Sequence, residues 1–166
     1  TTGLPFDDIR RLLEDMPAPD EEAAAAVRAR DGRLTKPPGA LGRMEAVAEW
    51  LARWQGRHAP RVEHPVVAVF AGNHGVVNQG VAAYPQAVTK QMVANFQAGG
   101  AAVNQICTSF DLGLKVFELA LETPTRDLTE AAAMAEAECA ATMAYGLAAV
   151  PGGAALPVLR PGTPRI

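Results

Sequence analysis

Cysteine, aromatic residues and clustered positive charge are all scarce in this sequence. Its 166 residues include two cysteines, and aromatic side chains make up 5%. Cys107 and Cys139 lie in helical patterns without metal-ligand spacing, so we expect reduced thiols, no disulfide framework and no metal site. The net charge is −3 and no basic stripe is present, which argues against nucleic acid as a partner.

Long apolar runs and a signal-peptide pattern are missing as well. No apolar stretch reaches the roughly 20 residues that span a bilayer. The first residues lack the charged start and apolar centre of a secretory signal. We therefore expect a cytoplasmic protein that does not bind membranes. Hydrophobic residues make up 49% of the chain, which is enough for one sizeable core.

Two short apolar runs in the second half of the chain are typical of buried parallel strands. Residues 66–70 form a β-branched run that ends at glycine, and residues 114–121 form the second run. Helical spacing of apolar residues predicts two helices between them, over 88–96 and 101–109, with Val88, Met92 and Phe96 inward. The order strand, helices, strand predicts a βαβ unit.

Other helices are predicted before and after this unit. Asp20 is expected to cap one of them, and Thr129 is expected to cap the last one. The predicted ranges are 6–16, 21–30, 41–54 and 130–150.

The predicted organisation is a single α/β domain over residues 1–150. It comprises a helical segment at 1–56 and the βαβ part at 65–150. Residues 151–166 are rich in proline and glycine and contain no acidic residue, so we expect an extended or partly disordered tail.

A loop rich in proline and glycine, at 34–43, separates the second and third predicted helices. Proline fixes φ and glycine relaxes it, so the loop has a defined shape. Either it presents Lys36 or Arg43 to an anionic ligand, or it is a turn that positions the next helix. We favour the turn.

Polar residues follow the first predicted strand directly, where open α/β sheets bind their ligands. Asn73 and His74 lie between Gly72 and Gly75, and these glycines allow a tight turn. Asparagine can donate and accept hydrogen bonds, and histidine can move a proton near neutral pH. Alternatively, His74 is a hydrogen-bonded residue that holds the loop. The spacing leaves both interpretations open.

Further candidates lie beyond this loop. Tyr84 and Pro85 form either a wall for a flat ring or part of the loop packing. Thr89, Gln91 and Asn95 lie on the next predicted helix at spacings that let some of them share a face, so they bind either a ligand heteroatom or each other. A Walker-type phosphate loop, a dinucleotide fingerprint and a nucleophile elbow are all missing from the sequence. The residues by themselves indicate an α/β domain with a polar site after its first strand.

Five blocks of the chain resemble one family. They are Lys-Pro-Pro-Gly-Ala-Leu-Gly-Arg at 36–43, Val-Phe-Ala-Gly-Asn-His-Gly-Val at 69–76, Gly-Val-Ala-Ala-Tyr-Pro-Gln-Ala-Val-Thr at 80–89, Met-Val-Ala-Asn-Phe at 92–96 and Gly-Gly-Ala-Ala-Val-Asn at 99–104. In this order the blocks are similar to the nicotinate-nucleotide–dimethylbenzimidazole phosphoribosyltransferase family. The resemblance covers roughly residues 4–150.

This resemblance implies a fold and a reaction. The fold is a Rossmann-like, three-layer arrangement of a parallel sheet flanked by helices, with an N-terminal helical segment, in a homodimer. The reaction is a pentosyl transfer in cobalamin biosynthesis. A ring nitrogen of 5,6-dimethylbenzimidazole attacks ribosyl C1 of nicotinate mononucleotide, nicotinate leaves, and α-ribazole 5′-phosphate forms. No metal or redox cofactor is implied.

The resemblance also implies site residues. Segment 83–92 matches the family's benzimidazole slot, and the resemblance places Tyr84, Pro85, Thr89, Gln91 and Met92 there. The family usually has Asp where this chain has Asn73, and some members have Ser in place of Tyr84. Together with the two polar residues that follow the first strand, the predicted substrate-binding residues are Asn73, His74, Tyr84, Pro85, Thr89, Gln91 and Met92.

Two family motifs find no match in these 166 residues. Residues 151–157 do not match the family's nucleotide loop, and no block matches the one that carries the catalytic carboxylate. The catalytic residue is therefore unassigned, with His74 as the remaining candidate. We expect these 166 residues alone to be a partial or inactive transferase. The alternative is a non-catalytic module for benzimidazole binding or dimerisation.

Overall fold

The structure, a computed structural model, describes residues 3–149. Contacts along the chain define two compact units. Asp15–Glu63 form one, and the other comprises the residues up to Glu14 and those from His64 onward. The elements are α1 (Asp7–Glu14), α2 (Glu21–Asp31), α3 (Arg43–Gln55), β1 (Val66–Gly72), a 3₁₀ helix (Gly75–Gln79), α4 (Ala87–Gln97), α5 (Ala102–Ser109), β2 (Gly113–Leu119) and α6 (Glu136–Ala148). A single domain over 1–150 stays a prediction, and the predicted tail at 151–166 lies outside the described residues.

Helices α2 and α3 pack through small side chains in the unit Asp15–Glu63. Ala23 and Ala24 of α2 and Ala52 of α3 are fully buried, so the two backbones can approach closely. Asp20 caps α2 as the sequence predicts, because its Oδ1 accepts from the backbone N–H of Ala23 at 2.8 Å. The core of this unit is therefore built mainly from alanine.

Lys36 holds the loop between α2 and α3. Its Nζ donates to Glu45 Oε1 at 2.6 Å and to Asp31 Oδ2 at 3.1 Å. Glu45 Oε1 also accepts from the backbone N–H of Leu41 at 3.1 Å, next to the first turn of α3. These contacts favour the interpretation of the loop as a turn that positions α3. Arg43 begins that helix and its side chain is exposed.

The sheet has the predicted parallel order. Strands β1 and β2 pair in parallel, with Val66 opposite Gly113 and Gly72 opposite Leu119. Helix α4 contacts both strands and α5 contacts β2. These contacts confirm a parallel sheet flanked by helices. Because the strands are parallel, both carboxyl ends lie at the same edge of the sheet.

An aromatic cluster packs against the same sheet. The rings of Phe70 on β1 and Phe117 on β2 are stacked, with centroids 5.0 Å apart. Tyr145 of α6 meets Phe117 edge to face at 6.1 Å. Both geometries are favoured by the charge distribution of aromatic rings. Through this cluster α6 is attached to the sheet.

The prediction that the first strand is buried is wrong in degree. Alternate residues of β1 face solvent, and Val66 and Phe70 are 43% and 44% exposed. Within residues 3–149 the sheet has two strands, so each strand has one edge without a partner. Apolar side chains on so small a sheet are covered only in part.

The last helix begins later than predicted, and Thr129 does not cap it. The N–H and the hydroxyl of Thr129 both donate to Asp127 Oδ1, at 2.9 and 2.7 Å. Such a local turn competes with helix formation. The helix begins instead after Ala135, whose N–H donates to Glu138 Oε2 at 2.6 Å. The feature of the sequence that indicates this helix start is Glu138, an acidic residue three positions after Ala135.

Three further observations concern membrane spans, metal ions and cysteines. Across residues 3–149, no helix is both long enough and apolar enough to cross a membrane. In the same part of the chain, no three His, Cys, Asp or Glu side chains are grouped so that they could hold a metal ion. Cys107 is buried, and both it and Cys139 are free thiols.

Candidate functional site

A cavity of about 420 Å³ lies beyond the carboxyl end of β1. This is the edge at which open parallel sheets bind ligands. The strand end, the loop that follows it and one face of α4 surround the cavity. The lining residues are Gly72, Asn73, His74, Val76, Val77, Val81, Ala82, Ala83, Tyr84, Pro85, Gln86, Val88, Thr89 and Met92.

The lining is mostly apolar. Of the described residues that form it, none carries a formal charge when histidine is neutral. Its polar groups are few and belong to Asn73, His74, Tyr84, Gln86 and Thr89. Such a site suits a flat, uncharged ring with one or two heteroatoms. A phosphate, by contrast, requires cationic groups or converging N–H donors.

Six of the seven predicted substrate-binding residues come together here. They are Asn73, His74, Tyr84, Pro85, Thr89 and Met92. The seventh, Gln91, lies on α4 and is exposed, but it is not part of the lining. Whether any of them binds a substrate stays a prediction.

The face of α4 that meets the cavity was predicted to be buried core. Val93 is the buried residue of this helix. Met92 is instead 40% exposed. Val88 and Met92 lie one helical turn apart and both line the cavity. The predicted inward face is thus in part a ligand-accessible face.

The loop after β1 is bound to the segment after β2. We call this arrangement the strand-exit clamp, and it consists of Asn73, His74 and Gly75 on one side and Leu121 and Thr125 on the other. The amide of Asn73 donates to the carbonyl of Leu121 at 2.9 Å. The N–H of Thr125 donates to Asn73 O at 3.1 Å, and the N–H of Gly75 donates to Thr125 O at 2.8 Å. His74 Nδ1 lies 3.2 Å from Thr125 Oγ1.

Gly75 is required by how closely the two segments approach. A Cβ at this position would lie 2.6 Å from Asp127 N and 2.7 Å from Thr125 O. Both are backbone atoms, so they cannot move aside cheaply. The sequence predicts a tight turn at Gly75. In the structure its role is the close approach of two backbones.

Gln86 is a lining residue that the sequence analysis missed. Its Nε2 donates to the backbone carbonyl of His74 at 2.8 Å and so fixes that residue from the α4 side. The segment at 121–127 was missed as well. Parallel pairing of the two predicted strands would have placed their exits side by side, and this is the signal that could have found it.

Nearby carboxylates are engaged elsewhere. Hydrogen bonds from Gln79 and Thr129 lower the pKa of Asp127, so it remains ionised and bound. Glu122 pairs with Lys90 at 2.7 Å, and this contact lowers the pKa of its carboxyl. Neither carboxylate belongs to the cavity lining. Among the described lining residues, the titratable side chains are therefore the imidazole of His74 and the phenol of Tyr84.

Comparison with known proteins identifies the family. Residues 16–157 match the family model described as phosphoribosyltransferase. A nicotinate-nucleotide–dimethylbenzimidazole phosphoribosyltransferase from Rhizobium rhizogenes is 63% identical over 152 residues, which are 92% of this chain and 45% of that protein. A protein of the same name from a Sinorhizobium species is 64% identical over the same length. The chain thus spans less than half of the curated relatives it matches.

A solved structure agrees with the sequence comparison. The crystal structure of nicotinate-nucleotide–dimethylbenzimidazole phosphoribosyltransferase from Thermus thermophilus is similar to this chain with a TM-score of 0.65. The identity is 40%, over 75% of this chain and 42% of that one. The five sequence blocks, the family match and this structural likeness agree, and the chain belongs to the nicotinate-nucleotide–dimethylbenzimidazole phosphoribosyltransferase family.

Proposed function

We propose that this chain provides the benzimidazole-binding part of a phosphoribosyltransferase active site. The enzyme would convert nicotinate mononucleotide and 5,6-dimethylbenzimidazole into α-ribazole 5′-phosphate and nicotinate. The observation that carries the proposal is the uncharged, mostly apolar cavity at the carboxyl end of β1 in a chain of this family. Its volume and lining suit a flat bicyclic ring.

The lining offers both kinds of contact that such a ring needs. Tyr84, Pro85 and Met92 supply apolar and aromatic surface for its faces. The hydroxyl of Thr89 and the imidazole of His74 supply hydrogen-bonding groups for its two nitrogens. The carbons of the ring would thus replace water against apolar walls, and each nitrogen would keep a polar partner.

In the proposed reaction one ring nitrogen attacks with its lone pair. A bond forms from that nitrogen to ribosyl C1, and the bond from C1 to the nicotinate nitrogen breaks. Nicotinate leaves with the bonding electrons, and the other benzimidazole nitrogen loses its proton. Orientation of the ring toward C1 is the contribution we assign to this cavity.

We assign the cavity to the base alone, not to the nucleotide. The lining residues within the described part of the chain include no cationic side chain to meet a phosphate, and their apolar surface would disfavour one. The nucleotide is therefore expected to bind outside this cavity. This division also separates the two substrates in the experiment below.

Calorimetric titration tests the assignment. The purified protein is titrated with 5,6-dimethylbenzimidazole and then with nicotinate mononucleotide. Ala83→Phe, which fills the cavity, should weaken binding of the base by at least about tenfold. Ala102→Phe makes the same change at an exposed position of α5 and should leave the affinity unchanged. Equal affinity in both variants, or no binding to the unsubstituted protein, would contradict the proposal.

A non-catalytic module for benzimidazole binding is the second candidate. It is favoured by the described lining of the cavity, which includes no carboxylate that could take the ring proton and no cation that could meet a phosphate. For a polypeptide of these residues alone, we expect binding of the base without release of nicotinate. Release of nicotinate at a measurable rate would exclude the second candidate.

We also propose a homodimer in the cytoplasm. Ile106 and Phe110 lie one helical turn apart at the end of α5, and Phe110 is 73% exposed, which supports a contact with a second subunit. Two free thiols support a reducing compartment. Light scattering tests the dimer. Phe110→Glu should shift the protein toward monomer, and Leu128→Glu, at a different exposed apolar residue, should not.

A further inference from the structure

One loop, residues 74–86, supplies most of the cavity lining. It begins at His74, just after β1, includes the 3₁₀ helix and reaches α4 at Gln86. Val81 and Tyr84 belong to its tip, and both line the cavity. The shape of the cavity therefore depends on how this loop is held.

The tip of the loop, residues 81–84, has little structure of its own. In the part of the chain that the structure describes, none of these four residues takes part in a backbone–backbone hydrogen bond. Val81 is 67% exposed and Tyr84 is 71% exposed, so packing does not hold the tip either. Its position must be set by the contacts at the base of the loop.

Both ends of the loop meet at one atom, the carbonyl oxygen of His74. Gln86 Nε2 donates to this oxygen at 2.8 Å, and the N–H of Val77 donates to it at 3.2 Å. A carbonyl oxygen can only accept, and it has two lone pairs, so it can take both bonds. The first turn of the 3₁₀ helix and the residue before α4 are thus bound to the same acceptor.

The first half of the loop is also anchored to the segment after β2. The N–H of Gly75 donates to Thr125 O, and Gln79 Nε2 donates to Asp127 Oδ2, both at 2.8 Å. At Gly80 the chain turns back with a φ of 71°. The second half of the loop is joined to this anchored half through the side chain of Gln86.

We infer that Gln86 is a positioning residue: by closing loop 74–86 on the carbonyl of His74, it holds the wall of the cavity in its ring-binding shape before a ring is present. This deepens the proposed function and rests on it for the nature of the ring. A loop that is ordered in advance loses less conformational freedom when the ligand binds, and affinity is higher for that reason. The role involves no proton transfer, because Gln86 acts through the backbone of the loop.

The mobility of the loop gives a test that needs no ligand. The full chain is labelled with ¹⁵N, and backbone order parameters are measured by NMR relaxation. In the unsubstituted protein, the amides of residues 81–84 should approach the roughly 0.85 of rigid backbone. Gln86→Met keeps the length of the side chain and removes the donor, so these values should fall below about 0.6. Gln86→Lys supplies a donor again and should restore them.

The matched control is Gln91→Met, the same change at an exposed position of α4 outside the lining, which should leave the loop ordered. Three outcomes would overturn the inference. The first is low order at residues 81–84 in the unsubstituted protein, which needs no variant to fold. The second is loop order that persists in Gln86→Met. The third is a loss of order that spreads through β1 and α4, which would indicate general destabilisation.

Three rings separate a positioning role from a direct contact with the ligand. 5,6-Dimethylindole lacks the bare nitrogen of 5,6-dimethylbenzimidazole, and 1,5,6-trimethylbenzimidazole lacks its N–H. If Gln86 acts through the loop, Gln86→Met weakens binding of all three by the same factor, about fivefold, and Gln86→Lys restores it. Unchanged affinities, or a loss confined to the rings that keep one particular nitrogen, would overturn the positioning role. If no ring binds the unsubstituted protein, the proposed function fails, whereas the order parameters still decide the role of Gln86.

Discussion

The side-chain amide of Asn73 donates to the backbone carbonyl of Leu121 at 2.9 Å and joins the exits of the two parallel strands. The two residues are 48 positions apart in the sequence. A carboxylate cannot donate in this way. The family resemblance leads one to expect an aspartate at this position. This chain has an asparagine instead, and its amide N–H bonds the cavity loop to the segment after β2.

Asn73→Asp should destabilise the protein at neutral pH by about 1–3 kcal/mol, because the hydrogen bond is lost and two oxygens face each other. The loss should be smaller at acidic pH, where a protonated carboxyl can donate. Urea unfolding at both pH values measures the difference. Asn78→Asp is the control, since it makes the same charge change at an exposed position of the 3₁₀ helix. Equal losses in the two variants would contradict the role of Asn73.

Gly75→Ala should open the strand-exit clamp. The added methyl group would lie within 2.8 Å of three backbone atoms, so we expect a loss of roughly 1–3 kcal/mol and weaker binding of the base. Gly146→Ala is the matched control on α6. No atom lies within 4 Å of its added Cβ, and higher helix propensity should raise stability by roughly 0.5–1 kcal/mol. If Gly75→Ala left the free energy of unfolding unchanged, the two segments would be shown to separate easily.

Local chemistry made part of this fold predictable. Apolar runs indicated the strand and helix order, and the carboxylate of Asp20 indicated where α2 begins. The cavity position followed from the end of β1. The predicted helix cap at Thr129 was wrong because the hydroxyl and the N–H of Thr129 both donate to Asp127. Helix-cap preferences do not take such a competing local contact into account.

The remaining features depend on contacts between distant residues. Thr125 meets His74 only because β1 and β2 pair in one particular register. The contact between Gln86 and His74 could not be predicted from the sequence. A side chain that bonds across a loop leaves no periodic pattern in the sequence. Gln91 was included from the family pattern, whereas only the direction of its side chain on α4 decides whether it meets the cavity.

The ion pairs of Lys36 should make stability depend on acidic pH. The Lys36 ammonium, and next the N–H of Leu41, lower the pKa of Glu45 below its ordinary value near 4.5. A carboxyl with a lowered pKa stabilises the fold above the pKa of the unfolded chain. This contribution is lost as the pH falls through the lower pKa of the folded state.

Lys36→Met should therefore reduce stability at neutral pH and flatten its fall in the acidic range. Urea unfolding followed by circular dichroism at a series of pH values measures both effects. Arg33→Met removes one exposed positive charge from the same inter-helix segment and should keep the acidic fall of the unsubstituted protein. The same acidic fall in Lys36→Met would mean that Glu45 draws its lowered pKa from other contacts.

Thr89 and Gln91 lie two positions apart on α4, and they differ in their relation to the cavity. Thr89 lines it and Gln91 does not, although the family resemblance implies that both bind the base. Thr89→Val keeps the shape and removes the hydroxyl, so affinity for 5,6-dimethylbenzimidazole should fall about fivefold, the size of one hydrogen bond. Gln91→Leu should change the affinity by less than about twofold. Calorimetry on both variants compares them directly. A larger loss for Gln91→Leu would mean that the ring extends past Thr89 and that α4 presents a different face to the bound base.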